Sequence, residues 1–213
     1  MTYLMTKPQP FEIEKYLHGV QSFHGYVAPG VILGGFMVNY AKSNIPEGVL
    51  FKAICETPAC LPDAIQLLTP CTIGNGRLKI FNLGRYALTL YDKEKGKGVR
   101  VFLLPQKINE KSEIRNWFFK VKPKVEQNIG LLIAQIKEAG ETLCGIHPIH
   151  VQPELFKKEK RGKIVICPGC QEAYPAEDGE VCRGCQGESP YIVPDTSENP
   201  MIAFNALKSH GVY

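Results

Sequence analysis

The chain has 213 residues, 44% of them hydrophobic, and a formal net charge of +4. That length suits one domain with a sizeable core plus a small appendage, and the slight basic excess does not by itself indicate nucleic acid. The N-terminal MTYLMTKPQPFEIEKY has no uninterrupted apolar h-region, and the longest apolar runs are broken by Gly and Pro short of a membrane span. A cytoplasmic protein with no membrane partner is expected, its eight cysteines reduced or metal-bound rather than paired as disulfides.

Residues 10–23, PFEIEKYLHGVQSF, place Phe11, Tyr16, Leu17, Val20 and Phe23 at mixed three- and four-residue spacings, the pattern of an amphipathic helix packed by one face. SFHGYVAPG, overlapping its end, reads either as a loop holding a metal or substrate beside His24 or as a tight corner between two helices. Pro29 suits the first turn of a second helix, GVILGGFMVNYAKS, where Gly30 and Gly34 admit close approach of another element. VLFKAIC at 49–55 reads as a buried strand, and CLPDAIQLLT as a short helix with Pro62 and Asp63 in its first turn.

TIGNGRL then forms a turn and RLKIFNL a strand, and RYALTLYD with GVRVFLL makes a hairpin around KEKGKG. Residues 110–139 return to helical spacing, with an apolar stripe at Ile129, Leu132, Ile133 and Ile136. This order predicts an α+β fold, an antiparallel or mixed sheet packed with helices. KKEKRGK at 157–163, five basic residues of seven, reads as a solvated connector. The expected organisation is a core at 1–155, a small unit at 156–191 and a tail at 192–213. In the tail Ser197 caps a short helix carrying Ile202, Phe204 and Leu207, with Gly211 beyond its end.

The strongest chemical signal is CPGC at 167–170 followed, eleven residues later, by CRGC at 182–185. Four thiolates at this spacing can surround one zinc ion tetrahedrally, and Gly169 and Gly184 sit where each knuckle must turn sharply. A segment this short buries too little apolar surface to fold alone, so the metal supplies folding free energy. A redox dithiol would instead be a single CxxC near a βαβ unit. A second constellation is weaker: His24, Cys60, Asp63, Gln66 and Cys71, with Cys55 nearby. Cys60 at a helix N-terminus would have its thiolate favoured by the dipole, whereas buried cysteines more often act as small hydrophobes. Cys144, His147 and His150, in CGIHPIH, fit a strand better than a ligand set.

FHG(x)3PG(x)3G, ETPACLPDAIQLLTPCTIGNGRL, GRYALTLYD and GKGVRVF together resemble the FmdE family of formylmethanofuran dehydrogenase proteins, and the C-terminal cysteines resemble its appended treble-clef zinc finger. The resemblance implies an α+β core, a homodimer, and a cleft lined by His24, Cys60, Asp63, Gln66, Cys71 and Thr72. It implies structural zinc in the finger and a second metal in the core cleft. The function implied is that of a non-catalytic accessory protein handling a metal or cofactor for a molybdenum- or tungsten-dependent redox complex of one-carbon metabolism. Tyr26 stands where the family has a second histidine, Ala28 where it has a cysteine, Pro70 for a glycine and Asn75 for a lysine. Either His24, Cys60 and Cys71 then remain as a three-ligand set with an open fourth position, or the site has lost its metal and the pocket serves another purpose. Two other readings are a zinc-finger adaptor for protein or nucleic acid with the core as dimerisation scaffold, and a thiol enzyme using Cys60 or Cys71 with His24 as base. The chain shows no aromatic-interleaved basic surface of the kind single-strand binders use.

Overall fold

The computed structural model describes residues 11–46, 48–156 and 162–191. The expected tail helix and most of the basic connector fall outside them. The chain divides into two compact units between residues 157 and 158, each described by itself.

The first unit is the expected α+β domain. Helix α1 (Ile13–His24) ends on Gly25 in the left-handed conformation, and α2 (Pro29–Ser43) begins with Pro29 in its first turn. Strand β1 (Phe51–Cys55) leads into α3 (Leu61–Leu68) and returns as β2 (Leu78–Ile80) parallel to itself. The hairpin β3 (Ala87–Asp92) and β4 (Lys97–Leu103) turns at Asp92, whose Oδ1 accepts the N–H groups of Glu94 and Lys95. Helices α4 (Glu113–Phe118) and α5 (Ile129–Ala139) precede β5 (Cys144–His150) and the short α6 (Pro153–Phe156). The sheet order is β2-β1-β3-β4-β5, antiparallel except for β1 and β2.

The register lines up Ala53, Leu90 and Val99 across three strands, and Cys55, Leu88 and Val101 beside them. Five of the six belong to one hydrophobic core, and the partly buried Val99 packs against it. Against it lies α2, apolar on almost every face, which touches α1, α3, α5, β3 and β4. A helix hydrophobic all round belongs inside a domain. Its contact with α3 is unusually close. A Cβ on Gly34 would stand 2.8 Å from the Ala64 Cβ, and one on Gly30 would stand 2.9 Å from the Cys60 Cβ. The two glycines thus let the side chains of Cys60, Leu61 and Ala64 press directly onto the backbone of α2, the close approach their spacing predicts.

Two apolar positions differ from expectation. Phe23 is exposed, because Tyr16, Leu17 and Val20 already complete the inner face of α1. Ile129 also lies outward at the first position of α5, while Leu132 and Ile136 reach the core. The 110–139 region is two helices, parted by Lys120 at φ 54° and by Pro123. CGIHPIH is strand β5, paired along its length with β4.

Glu56, buried just beyond β1, anchors the sheet. Arg100 Nε donates to its Oε1 at 2.6 Å and Arg100 Nη2 to its Oε2 at 2.8 Å, while Arg85 Nε lies 2.7 Å from Oε2. The Arg100 guanidinium, with help from Arg85, holds the Glu56 carboxyl below the usual carboxylate range. A folded-state value below the unfolded one means stability present above about pH 4.3 and lost as pH falls through the lower folded value. Glu56→Gln should therefore flatten the acid limb of a stability-against-pH curve below about pH 4.3, as measured by urea unfolding. The helix contact gives a second expectation. Gly34→Ala should cost about 1–3 kcal/mol through overpacking, whereas Gly74→Ala, whose Cβ would meet nothing within 4 Å, should change stability by less than about 0.5 kcal/mol.

Candidate functional site

In the second unit, β6 (Ile164–Ile166) and β7 (Ala173–Pro175) pair antiparallel, and CPGC makes the knuckle between them. CRGC leads into a single helical turn, Gly184–Glu188. The four sulfurs lie within 4.8 Å of one another, with Cys167 Sγ 3.8 Å from Cys185 Sγ and Cys170 Sγ 3.6 Å from Cys182 Sγ. A tetrahedron with zinc–sulfur bonds of about 2.3 Å has edges of about 3.8 Å, so this donor set fits one zinc ion. Backbone N–H groups of Cys170 and Cys182 pull the Cys167 thiol down to about 6, favouring the thiolate that zinc requires. The left-handed residue of the first knuckle is Gln171, at φ 65°. Gly169 is needed for space instead, since a Cβ there would stand 3.1 Å from Cys185 Sγ.

The core residues gather where α1 ends, α2 begins and α3 begins. SFHGYVAPG is indeed a corner between two helices, and it also presents a polar group. His24, the last residue of α1, places Nδ1 2.5 Å from Asp63 Oδ2 on the first turn of α3. A carboxylate on Nδ1 makes that nitrogen the donor, so in the neutral imidazole the lone pair is on Nε2. Tyr26 lies against the imidazole, ring centroids 5.1 Å apart.

Cys60 caps α3 at φ 56° and ψ −50°, a strained conformation for a residue with a side chain. Its sulfur sits 3.0 Å from where a Gly30 Cβ would be. The helix dipole alone would favour the thiolate. Burial outweighs the dipole and, with the Asp63 carboxylate adding to it, pushes the Cys60 thiol up. Cys71 is fully buried, its Sγ directed at the Phe51 carbonyl oxygen at 3.5 Å, and burial raises its thiol too. His24, Cys60 and Cys71 are therefore not gathered into one ligand set. Among the described residues, the four finger cysteines are the one group of three or more such donors that is.

Gln66 and Thr72 shape the neighbouring loop. Gln66 Oε1 accepts the Ile73 N–H at 3.2 Å, and Thr72 and Asn75 each accept the other's backbone N–H through their side chains. Asn75 also donates to the Pro70 carbonyl, so the residues differing from the family pattern at 70 and 75 form their own turn. Three residues of this corner have polar roles that sequence reasoning does not assign, although it places Tyr16 on the inner face of α1. Tyr86 donates its hydroxyl to the Gly30 carbonyl at 2.5 Å, Tyr16 donates to the Val31 carbonyl at 2.7 Å, and Glu56 holds Arg85 beside Tyr86. Only the GRY of GRYALTLYD carries a signal. Burial drives both tyrosine hydroxyls well above their usual range, so they act as fixed donors.

The finger should lose its fold with its metal, because zinc binding contributes on the order of 10 kcal/mol to so small a unit. Chelation, or Cys170→Ser, should abolish hydrogen-exchange protection in residues 162–191. Protection that persists in zinc-free protein would contradict a metal-dependent fold.

Three comparisons bear on this architecture. Residues 23–149 match the family described as FmdE, molybdenum formylmethanofuran dehydrogenase operon, and residues 158–192 match the FmdE treble clef zinc finger. The crystal structure of a tungsten formylmethanofuran dehydrogenase FmdE-like protein from Syntrophus aciditrophicus superposes with a TM-score of 0.79 at 50% identity, covering 87% of this chain and 98% of that one. A probable S-adenosyl-L-methionine-binding protein of Archaeoglobus fulgidus is 32% identical over 107 residues, 46% of this chain and 29% of that protein, so the match spans less than a third of that relative. With both its units matched, the chain belongs to the FmdE family and carries that family's treble-clef zinc finger.

Proposed function

We propose that this chain is a non-catalytic accessory protein that handles a metal-bearing or nucleoside-bearing cofactor at the His24 corner, serving a formylmethanofuran-dehydrogenase-like redox enzyme. The observation that carries this reading is the 2.5 Å contact between His24 Nδ1 and Asp63. Carboxylate-backed imidazoles of this kind are the usual form of a metal-ligating histidine, the carboxylate fixing the orientation of the ring. The name of the structural neighbour supports the enzyme association, and that of the Archaeoglobus relative supports a nucleoside-bearing ligand.

A thiol enzyme is less well supported, because burial disfavours the thiolate at both Cys60 and Cys71. The adaptor reading rests on the finger and the basic connector, and neither brings an aromatic platform for nucleic acid.

The reading is tested by calorimetric titration of the zinc-loaded full chain with the nitrilotriacetate chelates of Ni²⁺ and Co²⁺ and, separately, with S-adenosyl-L-methionine. One ligand should bind at a single equivalent beyond the finger zinc. His24→Ala should remove that binding, and Asp63→Asn should weaken it about tenfold or more, as loss of a histidine's outer partner does. No binding of any of the three, or binding that His24→Ala leaves intact, would overturn the reading.

A further inference from the structure

A cavity of about 330 Å³ opens where the turn Pro105–Lys107 and the loop after it meet α4, α5 and the turn Gly140–Leu143. It lies within the first unit and is lined by none of His24, Cys60 or Asp63. Ile114 and Leu143, both part of the buried core, and the half-buried Ala139 give it an apolar wall. Its volume falls within the range of small-molecule sites, which pair an apolar lining with a few placed polar groups.

The polar groups that remain available in this cavity are mostly donors. Gln135 Oε1 accepts the Glu113 N–H at 2.8 Å, and Asn109 Oδ1 accepts that of Lys111 at 2.9 Å. Each oxygen is thereby engaged, so the amide nitrogens of Gln135 and Asn109 are the ends left over. Among the described residues neither nitrogen has a hydrogen-bond partner. Lys107 Nζ donates to the Cys144 carbonyl at 2.9 Å. That contact holds the ammonium in place and leaves two of its three protons to a ligand. The exposed Lys111 side chain has no ion-pair partner among the described residues.

Charge and geometry select among anions. Lys107 and Lys111, set against Glu138 one turn along α5 from Gln135, leave one net positive charge on the lining. That balance matches a single carboxylate better than a dianionic phosphate. Phosphate sites also draw on backbone N–H groups at a helix start or on an arginine fork. Here Gln135 and Ser112 already take the N–H groups of Glu113 and Arg115 at the start of α4, and no arginine lines the cavity. The apolar wall receives a hydrocarbon body, which an inorganic ion does not bring.

We propose that this cavity binds a small monocarboxylate with an aliphatic body, its carboxylate held by Lys107, Lys111 and the amide nitrogens of Asn109 and Gln135. The lysines supply charge-assisted hydrogen bonds and hence most of the affinity, while the two amides fix the orientation of the carboxylate. The body lies on the apolar wall. This site is separate from the His24 corner, so the proposal goes beyond the reading of that corner and does not rest on it.

Calorimetric titration of the zinc-loaded full chain with isocaproate, L-leucine and inorganic phosphate tests it. Isocaproate, which has the carbon skeleton of leucine and no amine, should bind at one equivalent with a Kd at or below about 1 mM. L-leucine, whose ammonium opposes the lysines, and phosphate should bind more weakly. Lys111→Gln should weaken isocaproate about tenfold, as loss of one charge-assisted hydrogen bond does. Gln135→Glu keeps the oxygen that accepts the Glu113 N–H and replaces the free NH₂ with a carboxylate oxygen. It should abolish binding with circular dichroism unchanged. Glu138→Gln should tighten binding, whereas Lys124→Gln, at a lysine that does not line the cavity, and His24→Ala should leave it unaltered. Failure of isocaproate to bind overturns the proposal, as does binding that survives both Lys111→Gln and Gln135→Glu. Phosphate binding more tightly than isocaproate also overturns it, and so does tighter L-leucine binding that Glu138→Gln weakens, the mark of a zwitterion site. Isocaproate binding lost in His24→Ala would put the ligand at the corner instead and overturn this proposal alone, so the two readings fail separately.

Discussion

Everything at the core site depends on how closely α3 approaches α2. The absence of side chains at Gly30 and Gly34 lets Cys60, Leu61 and Ala64 press against the helix backbone. Add a methyl group at either glycine and the first turn of α3 must move outward by tenths of an ångström or more, taking Asp63 with it. A short hydrogen bond tolerates little of that. His24 is positioned independently, by the end of α1 and the left-handed Gly25, so the pair forms only if both supports are correct. The site's geometry is thus a consequence of core packing, which is dense enough to transmit such shifts.

The same approach explains the strain at Cys60. A residue entering α3 directly above Gly30 has no room for a relaxed turn, and its backbone takes positive φ. A sulfur rather than a bulkier group fits the gap over Gly30, beneath the Tyr86 hydroxyl that bonds the Gly30 carbonyl. Tyr86 and Tyr16 each satisfy a carbonyl in the first turn of α2. Arg85, next to Tyr86 in sequence, is tied in turn to Glu56, which leads from β1 toward Cys60. Sheet, hairpin and helix corner are locked together by polar contacts between residues distant in the chain. Burial of the tyrosine hydroxyls and of the Glu56 carboxylate makes their contacts costly to break.

Much of this is legible in the sequence and some is not, for physical reasons. The helices, hairpin and zinc cluster follow from local rules: apolar period, turn chemistry at Asp92 and Gly96, and paired CxxC knuckles. The Gly30–Gly34 spacing signals close packing but not against which element. Cys71 cannot be placed from its neighbours, because a cysteine after a helix reads the same whether it faces a cleft or a carbonyl in the core. Cys60 misleads for a related reason. The dipole argument considers the helix alone, whereas the observed thiol is governed by burial and by Asp63. Phe23 and Ile129 show the limit of periodicity, which gives a helix its stripe but not the width of the core that receives it. Glu56, Arg85 and Arg100 are far apart in the chain, and no spacing rule connects them.

The departures from the family pattern at 26 and 28 acquire a physical meaning once placed. Ala28 is buried at the start of α2, where its carbonyl accepts the Ile32 N–H, so a methyl group occupies the position of the family's cysteine. Tyr26 is exposed and rests on the imidazole. Both positions have exchanged donor atoms for apolar contact. A single imidazole, however well supported by Asp63, does not hold a divalent ion against water, because such ions need three or four protein donors for a stable site. A species captured at His24 must therefore bring most of its own coordination, as a chelated metal or a charged organic cofactor does. Alternatively, it must be enclosed by a second surface. The apolar character of residues 26 and 28 suits both requirements better than it suits a bare ion.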